Sequence, residues 1–176
     1  MRIKWRSKLA VLAGASALVL SSAAAWPAQA DDAAPPGWVE VDVPPGMKIT
    51  EGVAPAPGTP LPDMSDVAKA SSPGSTCLGK TAAYGSNGCF QHNGDIIWAG
   101  DTEKDGMSAA VGVYTDYGRP AEACLDTLGV NTWATCNKDY SEKGNVRLQV
   151  WRYDGDTGKF YQPEAWSSWI PVDGQY

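Results

Sequence analysis

Every apolar run between Ser75 and Tyr176 is short and stops at a cluster of Gly, Asp or Asn. That punctuation leaves little room for helices and favours strands joined by tight turns. The clearest unit is Cys89-Phe90-Gln91-His92, then Asn93-Gly94, then Asp95-Ile96-Ile97-Trp98. Asn-Gly suits the positive φ angles of a type I′ turn, so the unit predicts a tight hairpin. Further strands are expected over Ser108 to Tyr114, Ala121 to Leu125, Thr132 to Asn137, Val146 to Tyr153 and Lys159 to Trp169. The segment Pro120 to Leu128 also reads as a short helix, with proline at its start. The expected fold is all-β, a small antiparallel β-sandwich or barrel. A domain of roughly 100 residues supports one small core, and benefits from covalent support.

That support comes from four cysteines, Cys77, Cys89, Cys124 and Cys136. Three pairings are possible in principle. The two sequential pairs have the same spacing, which favours Cys77–Cys89 and Cys124–Cys136 as two disulfides. A zinc site is disfavoured, because no C-x-x-C pair is present.

The N-terminus carries export features. Arg2, Lys4, Arg6 and Lys8 precede an apolar run from Leu9 to Leu20, and Ala28-Gln29-Ala30 follows. Charge, apolar core and small-x-small site in that order predict a signal peptide over residues 1–30. The apolar run is too short for a comfortable membrane span, so none is expected after cleavage. Cleavage removes four of the 14 basic residues and none of the 20 acidic ones, leaving 10 against 20, a formal charge of −10. Nucleic acid and anionic membrane surfaces are disfavoured by that balance, whereas cationic ligands, neutral glycans and proteins remain open. Residues 31–74 are rich in Pro and Gly and read as a disordered, flexible linker leading into a β-domain over 75–176. Within the linker, Trp38 to Val43 alternates and is a candidate for one added strand.

The stretch from Gly88 to Val111 contains C-F, G-D and D-T-E-K-D-G-M-S-A in order. Cys124, the step Trp133-Ala134-Thr135-Cys136-Asn137 and the alternating Val146-Arg147-Leu148 follow it. This order resembles a group of small exported proteins of actinomycetes, over roughly residues 77–165. The resemblance implies a secreted, disulfide-bonded, all-β protein, and brings no activity or functional residues with it. A cysteine that some members carry near Ala99 and Gly100 is missing here.

Four side-chain patterns are candidates for function. Asp101, Glu103 and Asp105 precede Gly106 with the first spacings of a calcium loop, although position 12 is Gly112 rather than glutamate. Calcium is therefore the one cofactor considered, against a solvated turn. The triplet Trp151-Arg152-Tyr153 resembles the segment that small two-disulfide α-amylase inhibitors present to their enzyme, but here it follows all four cysteines. Alternation places Val146, Leu148 and Val150 on the core face of one strand, and Arg147, Gln149, Trp151 and Tyr153 on the other. The aromatic residues Trp151, Tyr153, Trp166 and Trp169 are the ligand-binding candidates, since flat rings on a sheet stack on sugars or anchor proteins. Trp98 and Trp133 are expected in the core. Finally, His92, the single histidine, and Asp95 flank the Asn-Gly turn and are expected to pair across it.

No nucleophile motif accompanies His92, so an enzyme is not expected. The sequence is read as a secreted, non-catalytic binding module for extracellular glycan or protein in the cell envelope. The alternatives are an inhibitor of a secreted hydrolase, such as α-amylase, and a structural envelope protein.

Overall fold

A computed structural model describes residues 37–65 and 77–175. The expected signal peptide, both ends of the expected linker and Tyr176 lie wholly or partly outside these residues. Among the described residues, ten strands form two sheets. They are β1 Glu40–Val41, β2 Lys48–Glu51, β3 Leu78–Ala83, β4 Ser86–Gln91 and β5 Ile96–Asp101, then β6 Ser108–Thr115, β7 Glu122–Asp126, β8 Thr132–Asn137, β9 Asn145–Asp154 and β10 Lys159–Pro171. One sheet runs β1-β10-β9-β6-β7-β2, the other β3-β4-β5-β8. The architecture is the expected all-β sandwich, and no helix among the described residues is long and apolar enough to cross a membrane.

The main core lies between the sheets. Val146, Leu148 and Val150 of β9 meet Phe90, Ile97 and Ala99 of the smaller sheet, all fully buried. A pleat of period two produces this, because every second side chain faces inward. Both disulfides have the expected pairing, with Cα–Cα distances of 5.5 Å for Cys77–Cys89 and 5.9 Å for Cys124–Cys136. Cys124 is on β7 and Cys136 on β8, so this bond joins the two sheets directly. The other bond packs with Trp98 and Trp133 in a separate small cluster, the two indoles edge to face at 6.2 Å.

Three local expectations are corrected. Part of the Pro-rich stretch is not a spacer. Its β1 pairs with β10 at one edge of the larger sheet, and its β2 pairs in parallel with β7 at the other. Residues 42–47 connect those edges, and Val41, Val43 and Met47 pack on a second cluster of Trp151, Phe160, Leu125, Ala110 and Ala123. Val53 then bridges Thr135 of β8, with N–H···O distances of 3.0 and 2.8 Å. The strap thus spans one face of the larger sheet and reaches the edge of the smaller one. Prolines 44 and 45 sit between its strands, where no ladder donor is needed.

Pro120 to Leu128 is not a helix. Glu122–Asp126 is a strand buried at every residue, because β6 and β2 pair with it on either side. Tertiary pairing overrides the local helix preference. The β4–β5 turn also differs from type I′, since Gly94 and Asp95 have positive φ (92° and 52°) and Asn93 does not. Gln91 pairs with Ile96, so the loop holds four residues rather than two.

Candidate ligand-binding face

β9 points Arg147, Gln149, Trp151 and Tyr153 away from the main core, and its neighbours decide what becomes of each. Ala110 lies opposite Trp151, Gly112 opposite Gln149 and Tyr114 opposite Arg147 on β6. On β10, Trp166 lies opposite Gln149 and Trp169 opposite Arg147. A register shift between Trp166 and Trp169 adds residues to β10 and keeps both indoles on this face.

The strap covers one half of the face. Trp151 is fully buried beneath it, with its ring 5.3 Å from that of Phe160. Tyr153 is half-buried and tilts against Phe160 at 5.0 Å. Trp151 is therefore a packing group with no surface for a ligand, whereas Tyr153 packs on Phe160 and keeps part of its surface exposed. The sequence assigns them to the outward side correctly, but the outward side acquires a second layer.

The other half is open. Trp166 and Trp169 are 41% and 46% exposed. The Arg147 guanidinium lies 4.6 Å from the Trp166 ring centroid, and its Nε donates to the Ser167 carbonyl at 2.9 Å. Cation–π attraction and one hydrogen bond thus hold the group in place. Its two terminal nitrogens have no partner among the described residues. Beside it, Tyr114 Oη donates to Gln149 Oε1 at 2.8 Å, and Gln149 Nε2 donates to the Glu164 carboxylate. Burial, with the nearby charge of Glu164 second, pushes the Tyr114 phenol up to about 12, so it remains a donor at neutral pH. Tyr114 also tilts against Trp166 at 5.0 Å. The result is a surface with two exposed indoles, a guanidinium held over one of them, and a carboxylate acceptor.

Sequence reasoning places Arg147 and Gln149 on this side but misses Tyr114 and Glu164. Alternation along β6 puts Tyr114 in line with Ala110 and Gly112, which was the available signal. Glu164 had none, because the β10 register shift obscures its side.

The remaining candidates have other roles. Asp101 and Asp105 accept hydrogen bonds from Arg152, which is fully buried, with Nη1 3.0 Å from Asp101 Oδ1. Arg152 also donates to the carbonyls of Gly85 and Met107. The cation held by this acidic loop is thus a guanidinium, and no group of three or more metal-binding side chains forms among the described residues. Glu103 does not join it and lies near Tyr84 Oη instead. Asp95 does not pair with His92. Its Oδ2 accepts from the Tyr140 amide at 2.7 Å, while the His92 ring packs against Gly174.

Comparison with protein-family models, with curated proteins and with solved structures found no match to this chain.

Proposed function

We propose that the protein is a secreted, non-catalytic module that binds a neutral extracellular glycan on the face formed by Trp166, Arg147 and Trp169. One observation carries this reading: two exposed indoles flank an arginine that is already held in place. Sugar rings present C–H-rich faces to indoles and a rim of hydroxyls that both donate and accept. Arg147 supplies donors to that rim and Glu164 an acceptor, which suits a neutral polyol better than a uniformly charged chain. Preformed contacts lower the entropy lost on binding. The export features and the two disulfides suit an oxidising, extracellular setting. α-Amylase inhibition through Trp151-Arg152-Tyr153 loses its support, since Trp151 and Arg152 are both fully buried.

The test is co-sedimentation of the oxidised protein with chitin, cellulose, starch and peptidoglycan. Retention on one of them, abolished in a Trp166→Ala/Trp169→Ala double variant with unchanged melting, supports the reading. Absence of retention on all four sinks it and shifts the weight to a protein partner.

A further inference from the structure

The chain contains two Asn-Gly pairs, Asn87-Gly88 and Asn93-Gly94. In such a pair the asparagine carboxamide can reach the next backbone nitrogen, and glycine has no side chain to hinder the approach. We propose that Asn93 is a self-modification site in the native protein. It cyclises with Gly94, loses ammonia and hydrolyses to aspartate and isoaspartate, whereas the fold protects Asn87. This reaction is independent of the glycan reading of the aromatic face.

The chemistry needs only water. Gly94 N gives its proton to solvent base and attacks Asn93 Cγ. A new N–Cγ bond closes a cyclic imide, and the bond from Cγ to the carboxamide nitrogen breaks. That nitrogen leaves as ammonia, taking a proton from solvent. Water then adds to one of the two imide carbonyls. Cleavage of the N–Cγ bond restores the ordinary chain, with aspartate at position 93. Cleavage of the original peptide bond leaves the chain running through Cγ, as isoaspartate. Either product carries one new carboxylate, and nothing is oxidised or reduced.

The fold separates the two pairs. Asn87 and Gly88 lie in β4, an inner strand of the smaller sheet. Asn87 stands opposite Ala82 of β3 and Gly100 of β5, and Gly88 opposite Thr81 and Ala99. Ring closure there requires the Asn87 backbone to leave the extended range, which takes both residues out of their ladders. Gly88 is also buried against the other sheet, where a Cβ built on it would stand 2.7 Å from Val111 Cγ2.

Asn93 and Gly94 are instead the exposed middle of the β4–β5 loop, outside the ladder that ends at Gln91 and Ile96. Neither the Asn93 carboxamide nor the Gly94 N–H has a hydrogen-bond partner among the described residues. A Cβ built on Gly94 would meet nothing closer than 3.7 Å, so the space beside it is open. The ends of the loop are held. The Asp95 amide donates to the His92 carbonyl at 3.4 Å, the Asp95 carbonyl accepts from the Lys138 amide at 3.1 Å, and Asp95 Oδ2 accepts from the Tyr140 amide at 2.7 Å. Gln91 Nε2 donates to the Asn93 carbonyl at 2.9 Å. That bond draws electron density out of the Asn93–Gly94 peptide and favours loss of the Gly94 proton. The reactive pair is thus presented to water by an anchored loop, and needs no unfolding to react.

The test incubates the oxidised protein at mildly alkaline pH in water enriched in heavy oxygen, and maps the products by peptide mass spectrometry. Heavy oxygen is expected at residue 93, as both aspartate and isoaspartate, with Asn93 reacting at least about ten-fold faster than Asn87, whose reaction waits on local opening of the strand. With disulfides reduced in denaturant, the two sites should react at similar rates, because the local sequence is the same Asn-Gly in both. In Asn93→Gln the imide ring would be larger and slower to close, so the acidic species seen on ion exchange should vanish while melting is unchanged. No label at residue 93 in the native protein, equal native rates at Asn87 and Asn93, or an acidic species that survives Asn93→Gln would each overturn the assignment.

Discussion

The Trp151 indole lies against the backbone of Gly112: a Cβ placed on Gly112 would stand 2.1 Å from Trp151 Cη2. Gly112 has no positive φ, so the constraint is spatial and not conformational. This gap lets a large ring lie flat across β6 and leaves room for the strap above it. Gly112→Ala should therefore destabilise the fold by about 1–3 kcal/mol through overpacking, measured by urea denaturation. A neutral result would mean that the indole has room to move aside.

Removing the strap should expose that ring. Val41, Val43 and Met47 each bury part of a side chain on the Trp151 cluster. Truncation through Val53 should lower the unfolding free energy on the order of 3 kcal/mol, or more if the β2–β7 ladder contributes. Trp151 fluorescence should shift to the red and become open to a neutral quencher. If residues 37–53 were only a spacer, neither stability nor quenching would change.

Arg152 is fully buried and paired with two carboxylates. Arg152→Met leaves Asp101 and Asp105 without their counter-ion, and should cost about 3–5 kcal/mol. Adding Asp101→Asn and Asp105→Asn should recover part of that loss, the signature of a coupled network in thermal melts. With Arg152 present, calcium or a chelator should leave the melting temperature unchanged.

The disulfide between β7 and β8 should stabilise chiefly by restricting the unfolded chain. Replacing Cys124 and Cys136 by serine should cost about 3 kcal/mol in the same denaturation assay. A much larger loss would indicate that the bond also maintains the contact between sheets on which Val53 and Thr50 depend.

Tyr114 predicts an alkaline limit. Its pKa rises from 10.0 unfolded to about 12 folded, so the folded state retains the proton longer. The stability from this group is complete below pH 10 and declines as pH climbs toward 12. Absorbance titration should show a late phenol that Tyr114→Phe removes. Tyr140, also raised by burial, remains as a second late group in the variant.

Sequence alone determined what depends on neighbours along the chain. Alternation in β9 placed Val146, Leu148 and Val150 inward, and the turn residues separated the strands. Equal cysteine spacing favoured the disulfide pairs that form, because each closes a short loop within reach of its own turn. Only the tertiary structure decided what covers an outward face. Trp151 and Trp166 carry the same side chain on adjacent strands of one sheet, yet one is buried and the other exposed. The difference is a strap whose contacts come from about a hundred residues away, which no local period encodes. The same holds for the Asp101 loop. Its spacing suggested a metal, but the charge that reaches it is Arg152 from the opposite sheet, and a loop's own sequence cannot specify which distant cation will arrive.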